Sequence, residues 1–429
     1  MLPVNQLHER LSRGEYTKTL CWLYGCDVAA VAGYARRYAD ALAGLEQTFG
    51  NHETAGLFSA PGRTEIGGNH TDHQHGCVLA GAVNIDMIAA VAPNGLGCVR
   101  LLSEGYSVIE VALDQLEKRP EEENTSTAIL RGTCQAFASR GAELYGVDIY
   151  VSSHVPKGSG VSSSAAFEVL LGTICNALFM DKQKISAIEI AQIGQWVENV
   201  YFGKPCGLMD QMASSVGGVV GIDFADPANP IVEQISFDLS EAGLALCIID
   251  SGADHADLTD EYAAVPSECK AVAAMCGGEV LRDVKEKVFL SNISACRAQC
   301  GDRAVLRAMH FYGENARVGR QIEALRQKDY PAFLQLVEAS GNSSWQYLQN
   351  ISPAGAVRQQ AVAVAIAAAK QILAGEGAVR VHGGGFAGTV QAFVPLARVQ
   401  EFKEKTEDIL GAHRCNVMVI RPVGGIAIA

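Results

Sequence analysis

The stretch that most constrains the fold is residues 147–179, where an alternating strand, a Gly/Ser loop and an apolar helix follow one another. Val147, Ile149 and Val151 share one face of the predicted strand, and the chain then continues as KGSGVSSSAAFEVLLGTICNALF. A glycine loop that opens a helix presents free N–H groups with the helix dipole behind them, which favours phosphate. A helix N-cap needs one serine. Three successive serines, residues 162–164, therefore predict hydroxyls for phosphate oxygens or Mg²⁺.

Two other glycine-rich segments are less specific. HGGGFAG, residues 382–388, lies between two predicted strands and is either a ligand loop or a tight hairpin turn. GKPCGLMDQ, residues 203–211, contains Asp210 in an apolar context, where an ordinary aspartate at a helix N-terminus is the alternative to a functional carboxylate. The serine loop is not a Walker A loop, because no Gly-Lys-Ser/Thr follows, and serine replaces the third glycine of a dinucleotide fingerprint.

The segment GRTEIGGNHTDHQHG, residues 62–76, concentrates polar side chains. Arg63 follows Pro-Gly and can pair with a carboxylate or a phosphate in a bidentate manner. The four residues His70, Asp72, His73 and His75 suggest a metal site, but zinc sites usually draw their ligands from two separated clusters. We therefore expect ordinary surface or core roles for His73 and His75.

The order of predicted elements favours an α+β fold, because strands and helices are mixed with local hairpins and without regular βα alternation. Residues 1–55 read as helices that end in glycine. The best candidate for a domain boundary is DFADPANPIV, residues 223–232, which contains two prolines. We predict a helical extension (1–55), a domain with the first two loops (56–225) and a domain with the third glycine-rich motif (226–429).

Composition excludes several classes of protein. The 429-residue chain is 48% hydrophobic and 19% charged, as in an ordinary globular protein. Its net charge of −13 argues against a nucleic-acid partner. The sequence has no apolar run of about eighteen residues, the length that a membrane-spanning helix needs. The N-terminus lacks the apolar region of a signal peptide. Thirteen scattered cysteines without a CxxC pair fit a reduced, cytoplasmic protein.

Taken together, the loops resemble the motifs of the GHMP small-molecule kinases, and among these the galactokinases. APGRTEIGGNHTDHQHG is similar to the galactokinase signature, VPKGSGVSSSAA to the second motif, PCGLMDQ to the stretch with the active-site aspartate, and VHGGGFAGT to the third motif. The resemblance covers nearly all of residues 57–429. It implies two domains, an N-terminal one like domain 2 of ribosomal protein S5 and an α+β C-terminal one, with the active site in the cleft between them.

The resemblance also implies roles for individual residues. Asp210 matches the residue that is base to, or orients, the C1 hydroxyl of the sugar, and Arg63 the arginine near that carboxylate and the transferred phosphoryl. The remaining matches are ATP-phosphate positions (Gly158, Ser159, Gly160, Ser162, Ser163 and Ser164), Mg²⁺ positions (Ser164 and Glu198) and sugar positions (Arg63, Asn69, His70, Asp72, Gly207, Asp210 and Tyr262).

The positions at which this sequence departs from the family pattern affect recognition of the sugar more than transfer of the phosphoryl group. Asn69 stands where the family has a glutamate that bonds a sugar hydroxyl, and His73 stands where it has a tyrosine. Asparagine can still accept and donate hydrogen bonds but offers no charged acceptor. The third motif has GFAG for GFGG, which is a mild change.

The resemblance implies transfer of the γ-phosphoryl of ATP to O1 of galactose. We also expect a monomer. A different sugar, such as N-acetylgalactosamine or arabinose, remains an alternative. The polar groups of Arg63, His70 and Asp72 argue against mevalonate or homoserine as substrates. The presence of Asp210, Arg63, Glu198 and the serine run argues against a non-catalytic galactose and ATP sensor.

Overall fold

The computed structural model describes residues 1–156, 160–180, 183–253 and 258–429. Within those ranges the helices are α1 (Val4–Ser12), α2 (Thr17–Tyr24), α3 (Val31–Phe49), α4 (Ser126–Ala138), α5 (Ser163–Phe179), α6 (Ala187–Val197), α7 (Met209–Val216), α8 (Thr259–Met275), α9 (Glu286–Cys300), α10 (Asp302–Arg326), α11 (Tyr330–Ser343), α12 (Ala361–Leu373) and α13 (Val399–Leu410). The strands are β1 (Leu2–Pro3), β2 (Thr54–Gly67), β3 (Cys77–Pro93), β4 (Cys98–Ser103), β5 (Ile109–Ala112), β6 (Val147–Ser153), β7 (Val219–Asp223), β8 (Ile231–Ile235), β9 (Leu244–Asp250), β10 (Ala378–His382), β11 (Thr389–Pro395), β12 (Cys415–Met418) and β13 (Ile426–Ala427).

The first sheet runs in the order β1-β2-β3-β6-β4-β5, with β13 beside β2 and the β7–β8 hairpin beside the other end of β3. Strand β2 continues through Pro61 and Gly62, although Pro-Gly commonly marks a turn. The register instead shifts between Pro61 and Arg63 and again between Glu65 and Gly67. A bulge accommodates a proline, which has no N–H to donate, and it re-aims the side chain that follows.

Helices cover both faces of this sheet. Helices α4 to α7 pack on one face, where Phe137 and Val169 lie in the largest hydrophobic cluster. Helices α1 to α3 pack on the other face, where Leu7 and Leu42 meet Ile88. The predicted extension, residues 1–55, is therefore part of the first domain, because without it this apolar face of the sheet would be open to water.

The second sheet is antiparallel, with the order β10-β11-β9-β12. Helices α12 and α13 cover one face through residues such as Val362 and Phe402. The other face contacts α11, where Phe333 packs edge-on against Phe393 with ring centroids 5.3 Å apart. Helices α8 to α10 form a further cluster of their own.

The predicted boundary between residues 225 and 226 falls inside a hairpin. Strand β8 pairs with β7 in the first sheet, so the two prolines of residues 223–232 belong to the connection between paired strands. The C-terminal residues also return to this sheet, where Ile426 pairs with Ser59 of β2. In the described ranges, no helix is both long and apolar enough to cross a bilayer.

Candidate active site

The centre of the site is an ion pair between Arg63 and Asp210. Arg63 follows the bulge in β2, and Asp210 lies in the first turn of α7, where the helix dipole favours a carboxylate. Arg63 Nε lies 2.6 Å from Asp210 Oδ1, and Nη2 lies 2.7 Å from Oδ2. The arginine side chain is 9% exposed and the aspartate side chain 29%. Bidentate pairing fixes the orientation of the carboxylate while part of it stays open to solvent.

Asp210 is ionised at neutral pH. Burial disfavours its charged form, but the charge of Arg63 and hydrogen bonds from Arg63 and Ser162 outweigh this effect, and they hold the pKa of Asp210 below its ordinary value. Ser162 Oγ donates to Asp210 Oδ2 over 2.6 Å. The proton of this hydroxyl, which the sequence assigns to an ATP phosphate, is thus directed at the carboxylate.

The serine loop also contacts Arg63, through both its guanidinium group and its backbone N–H. Gly160 accepts a hydrogen bond from Arg63 Nη1, and Arg63 N–H donates to Val161 O over 3.0 Å. Gly160 has a φ of +69°, and a Cβ there would lie 2.4 Å from Thr389 Oγ1. Only glycine fits this turn without displacing β11. Two further predicted phosphate positions, Gly158 and Ser159, lie outside the described residues.

A large cavity opens beside this loop. Its volume is about 920 Å³, and its lining includes Ser163, Ser164 and Glu198 together with the apolar side chains of Leu101 and Phe167. Ser163 begins α5, and Ser164 is exposed. A lining that combines apolar side chains with polar groups is typical of small-molecule sites.

The two predicted magnesium positions fit a divalent cation. Glu198 begins a π-helical turn after α6, is 3% exposed, and lies with its Oε1 3.7 Å from Lys204 Nζ. Beside it is Glu168, whose Oε1 is buried without a hydrogen-bond partner among the described residues. Burial first, and the charge of Glu198 next, raise the pKa of Glu168 well above its ordinary value. Such buried carboxylate oxygens are suitable ligands for Mg²⁺.

The predicted sugar loop lies against both the stretch before α7 and the third glycine motif. A Cβ on Gly207 would lie 2.1 Å from Asp72 Oδ2, so a larger residue here would displace the Asp72 carboxylate. His70, with a φ of +57°, donates through Nε2 to Gly384 O over 2.9 Å. Burial, followed by the neighbouring His73, lowers the pKa of His70 to about 4, so its ring is neutral. Segments distant in the sequence are thereby brought to one cleft.

Tyr262 joins the same cleft from the first turn of α8. Its hydroxyl donates to Gly385 O over 2.8 Å, and its ring packs edge-on against Phe386 with a centroid distance of 5.4 Å. A Cβ on Gly384 would lie 2.5 Å from the tyrosine ring. The third motif is therefore more than a hairpin turn, since Gly384 makes room for the Tyr262 ring and its carbonyl oxygen accepts a hydrogen bond from His70.

Asn69, a predicted sugar contact, makes its side-chain hydrogen bonds within the protein. Its side chain is fully buried, and its amide nitrogen donates to the Glu65 carboxylate over 3.0 Å and to Gly383 O over 2.7 Å. Its oxygen accepts from Ser344 over 3.1 Å and from Asn350 over 2.8 Å. An asparagine side chain has two donor hydrogens and two acceptor lone pairs. All four are used within the protein, so Asn69 connects the sugar loop to the second domain.

Several residues of the site lie outside the predicted set. Glu168 and Gln211 form part of the carboxylate cluster, and Gln211 Nε2 donates to Glu168 Oε2 over 2.9 Å. His382 lies next to Gly160 of the serine loop, where a Cβ would be 3.0 Å from its Nδ1, and this Nδ1 is 2.9 Å from Thr389 Oγ1. Glu168 could have been found from its spacing, because it lies four residues after Ser164 in an expected helix. His382 is the first residue of the HGGGFAG motif, but the motif does not indicate its contact with Thr64, which lies 318 residues away in sequence.

Comparisons with known proteins agree with the motifs. Residues 128–218 match the GHMP kinases N terminal domain, and residues 44–93 match the galactokinase galactose-binding signature. A galactokinase of Streptomyces coelicolor is 31% identical, over 84% of this chain and 90% of the relative. One of Mannheimia succiniciproducens is also 31% identical, over 81% and 88%.

Solved structures show the same fold. Lactococcus lactis galactokinase, complexed with galactose, superposes with a TM-score of 0.77 at 21% identity and covers 92% of this chain and 99% of its own. A mevalonate kinase has a TM-score of 0.60 at 15% identity, over 85% and 98% of the two chains. With the two-domain α+β architecture and the three loops in one cleft, these relationships establish that the chain belongs to the galactokinase family of the GHMP kinases.

Proposed function

We propose that this protein transfers the γ-phosphoryl group of ATP to O1 of galactose, forming galactose 1-phosphate and ADP. The observation that carries the proposal is the Arg63–Asp210 pair, in which an ionised carboxylate keeps 29% exposure next to the serine loop. Phosphoryl transfer depends on positioning and charge stabilisation more than on covalent chemistry by the protein. The galactokinase relatives of similar length support the same reaction.

In the proposed mechanism Asp210 accepts a hydrogen bond from the O1 hydroxyl and receives its proton late in the transfer. Its lowered pKa makes it a weak base and an effective orienting group. Arg63 fixes the carboxylate in its two-point contact and offsets negative charge that develops on the transferred group. Ser162 holds the same carboxylate from the nucleotide side.

ATP is proposed to occupy the 920 Å³ cavity, with its phosphates toward the serine loop. The phosphate contacts would come from Gly160, Ser163 and Ser164, together with Gly158 and Ser159 of the loop. The apolar side chains of Leu101 and Phe167 suit the nucleoside. Mg²⁺, proposed to be held by Ser164 and Glu198, would neutralise charge on the phosphates when bound.

Galactose is proposed to lie between the sugar loop and the third motif, against His70, Asp72, Gly207 and Tyr262. The fully engaged amide of Asn69 supports a positioning role, in which it sets the loop that touches the sugar. The glutamate-to-asparagine exchange would then alter the sugar site indirectly. This favours galactose over a change of substrate.

A sugar panel tests the proposed function. ADP release is followed by a coupled assay with galactose, N-acetylgalactosamine, arabinose and mevalonate, and ³¹P NMR identifies the phosphorylated position. We expect the highest kcat/KM with galactose and phosphate only at the anomeric oxygen, and Asp210→Asn reports background ATP hydrolysis. A higher kcat/KM for another sugar reassigns the substrate, and binding of ATP and galactose without ADP release favours the sensor.

We further propose that the protein works as a cytoplasmic monomer. All thirteen cysteines are free thiols in the structure, which suits a reducing compartment. Light scattering after size exclusion checks the oligomeric state, with 45.5 kDa expected for one chain.

A further inference from the structure

Glu168 is a buried carboxylate that the mechanism above does not use. It lies on α5 with an exposed fraction of 2%. Its Oε2 accepts a hydrogen bond from Gln211 Nε2 over 2.9 Å, and its Oε1 has no partner among the described residues. An unpaired buried carboxylate oxygen is costly, because burial removes its hydration without replacing it.

The same glutamine amide holds a second carboxylate. Gln211 Nε2 donates to Glu198 Oε2 over 3.0 Å, so one NH₂ group bridges Glu168 and Glu198. Gln211 directly follows Asp210 on α7. Among the described residues, Glu198 forms an ion pair with Lys204 over 3.7 Å, and the lysine side chain is 62% exposed. An exposed lysine compensates the charge of a buried carboxylate only weakly.

Helix geometry directs Glu168 toward the predicted metal position. Ser164 and Glu168 are separated by four residues on α5, so they lie on the same helix face. Both side chains line the 920 Å³ cavity, together with Glu198 and Lys204. No group of three His, Cys, Asp or Glu side chains that could hold a metal occurs in the described part of the chain. Mg²⁺ commonly binds one or two carboxylates and completes its shell with water and substrate phosphates.

We propose that Glu168 is a second carboxylate ligand of the divalent cation, opposite Glu198, with Gln211 holding the two carboxylates at a fixed separation. This inference rests on the proposed function, since the cation arrives with the nucleotide phosphates. In the metal-free protein Lys204 offsets the negative charge of Glu168 and Glu198. The divalent cation takes over this role when it binds. The alternative is a neutral Glu168 that serves only packing.

The test substitutes Glu168→Gln, which has the shape of the neutral acid and lacks the charge. Mn²⁺ is titrated into the protein with ADP and followed by EPR, and the Mg²⁺ dependence of turnover is measured separately. We expect Mn²⁺ affinity to fall about 10- to 100-fold, as for other residues that support a metal. The half-saturating Mg²⁺ concentration should rise by the same factor. Glu404→Gln, an exposed carboxylate on α13, is the charge-matched control.

Mn²⁺ affinity of Glu168→Gln within twofold of the unmodified protein would overturn the proposal. If Glu168→Gln does not fold, Glu168→Asp retains the charge with a shorter reach. A ligand role predicts partial Mn²⁺ affinity for it, whereas full affinity contradicts that role. The Mn²⁺ readout is independent of sugar turnover. Absence of ADP release with every sugar would reject the proposed function but not this inference.

Discussion

Among the aspartates of the first domain that pair with arginine, Asp86 and Asp210 differ in how completely they are enclosed. Asp86 is fully buried. It accepts hydrogen bonds from Arg37 over 2.8 Å, from Tyr24 over 2.6 Å, from Ser59 over 2.5 Å and from Arg421 over 3.1 Å. Asp210 has one arginine and one serine as partners and keeps 29% of its side chain exposed.

The difference separates a structural centre from a reactive one. Both aspartates have lowered pKa values, so the pKa direction does not distinguish them. At Asp86 every approach is filled by protein from four separate segments, and the group can only hold the fold together. At Asp210 the pairing fixes the orientation but leaves room for a substrate hydroxyl. Access, more than charge pairing, identifies the functional carboxylate.

The largest expected effect is on stability at the enclosed centre. Asp86→Asn leaves the guanidinium groups of Arg37 and Arg421 buried without a counter-charge, which should cost about 3–5 kcal/mol. Urea unfolding measures the loss. Asp302→Asn, which breaks the exposed pair with Arg297 at 2.6 Å, is the control and should leave the unfolding midpoint nearly unchanged. Equal losses for both variants would contradict the comparison.

The next effect is on rate at the open centre. Asp210→Asn should lower kcat by about 10²- to 10³-fold, as removal of a single electrostatic group does in other active sites. Its unfolding midpoint should fall less than that of Asp86→Asn, because water can reach the exposed part of the pair. Steady-state kinetics with galactose and ATP provide the measurement. Near-normal turnover would remove Asp210 from the mechanism.

A smaller effect is expected for the hydroxyl that holds Asp210. Ser162→Ala removes a hydrogen bond to a charged group worth about 1.5 kcal/mol, which corresponds to about a tenfold loss in kcat. Ser240→Ala is a matched control, since Ser240 Oγ donates to the surface carboxylate of Asp238 over 2.6 Å. If Ser162→Ala changed only the KM for ATP, its hydroxyl would belong to the phosphate site instead.

The smallest effect is the pH dependence of the contribution that Asp86 makes to the free energy of unfolding. A carboxyl whose pKa is lower in the folded state stabilises the protein above its unfolded pKa, about 3.9. This stabilisation is lost as pH falls through the folded value. The difference in unfolding free energy between the unmodified protein and Asp86→Asn should therefore be constant from pH 7 to 5 and shrink below about pH 4. A difference that grows on acidification would have the wrong sign.

Much of the site could be predicted from short stretches of sequence. Glycine loops, a serine run and a helix-starting aspartate are local patterns with a direct physical meaning, and Arg63, Asp210 and Gly207 lie together in the structure as the motifs imply. The α+β class also followed from the local order of strands and helices. Such features need only neighbouring residues to define them.

The role of Asn69 could not be predicted in this way. Its partners Ser344 and Asn350 lie 275 and 281 residues away in sequence. The β7–β8 pairing was unpredictable for a related reason, because prolines in residues 223–232 look the same in a linker and in a hairpin connection. Tyr24 and Arg37 also belong to helices whose sequence shows only an amphipathic pattern, with nothing to indicate the distant Asp86.

The return of the C-terminal residues to the first sheet has a consequence for the order of folding during synthesis. Arg421 completes the Asp86 centre, and Ile426 pairs with Ser59 on β2, more than four hundred residues after the chain began. Ribosomes deliver the N-terminal part first. The first domain therefore cannot complete its folding until the second domain has been synthesised. Until then, β2 lacks its pairing with Ile426, and Asp86 lacks its contact with Arg421. Deletion of the C-terminal residues from Arg421 onward would therefore destabilise the first domain, most of which is formed by the N-terminal half of the chain.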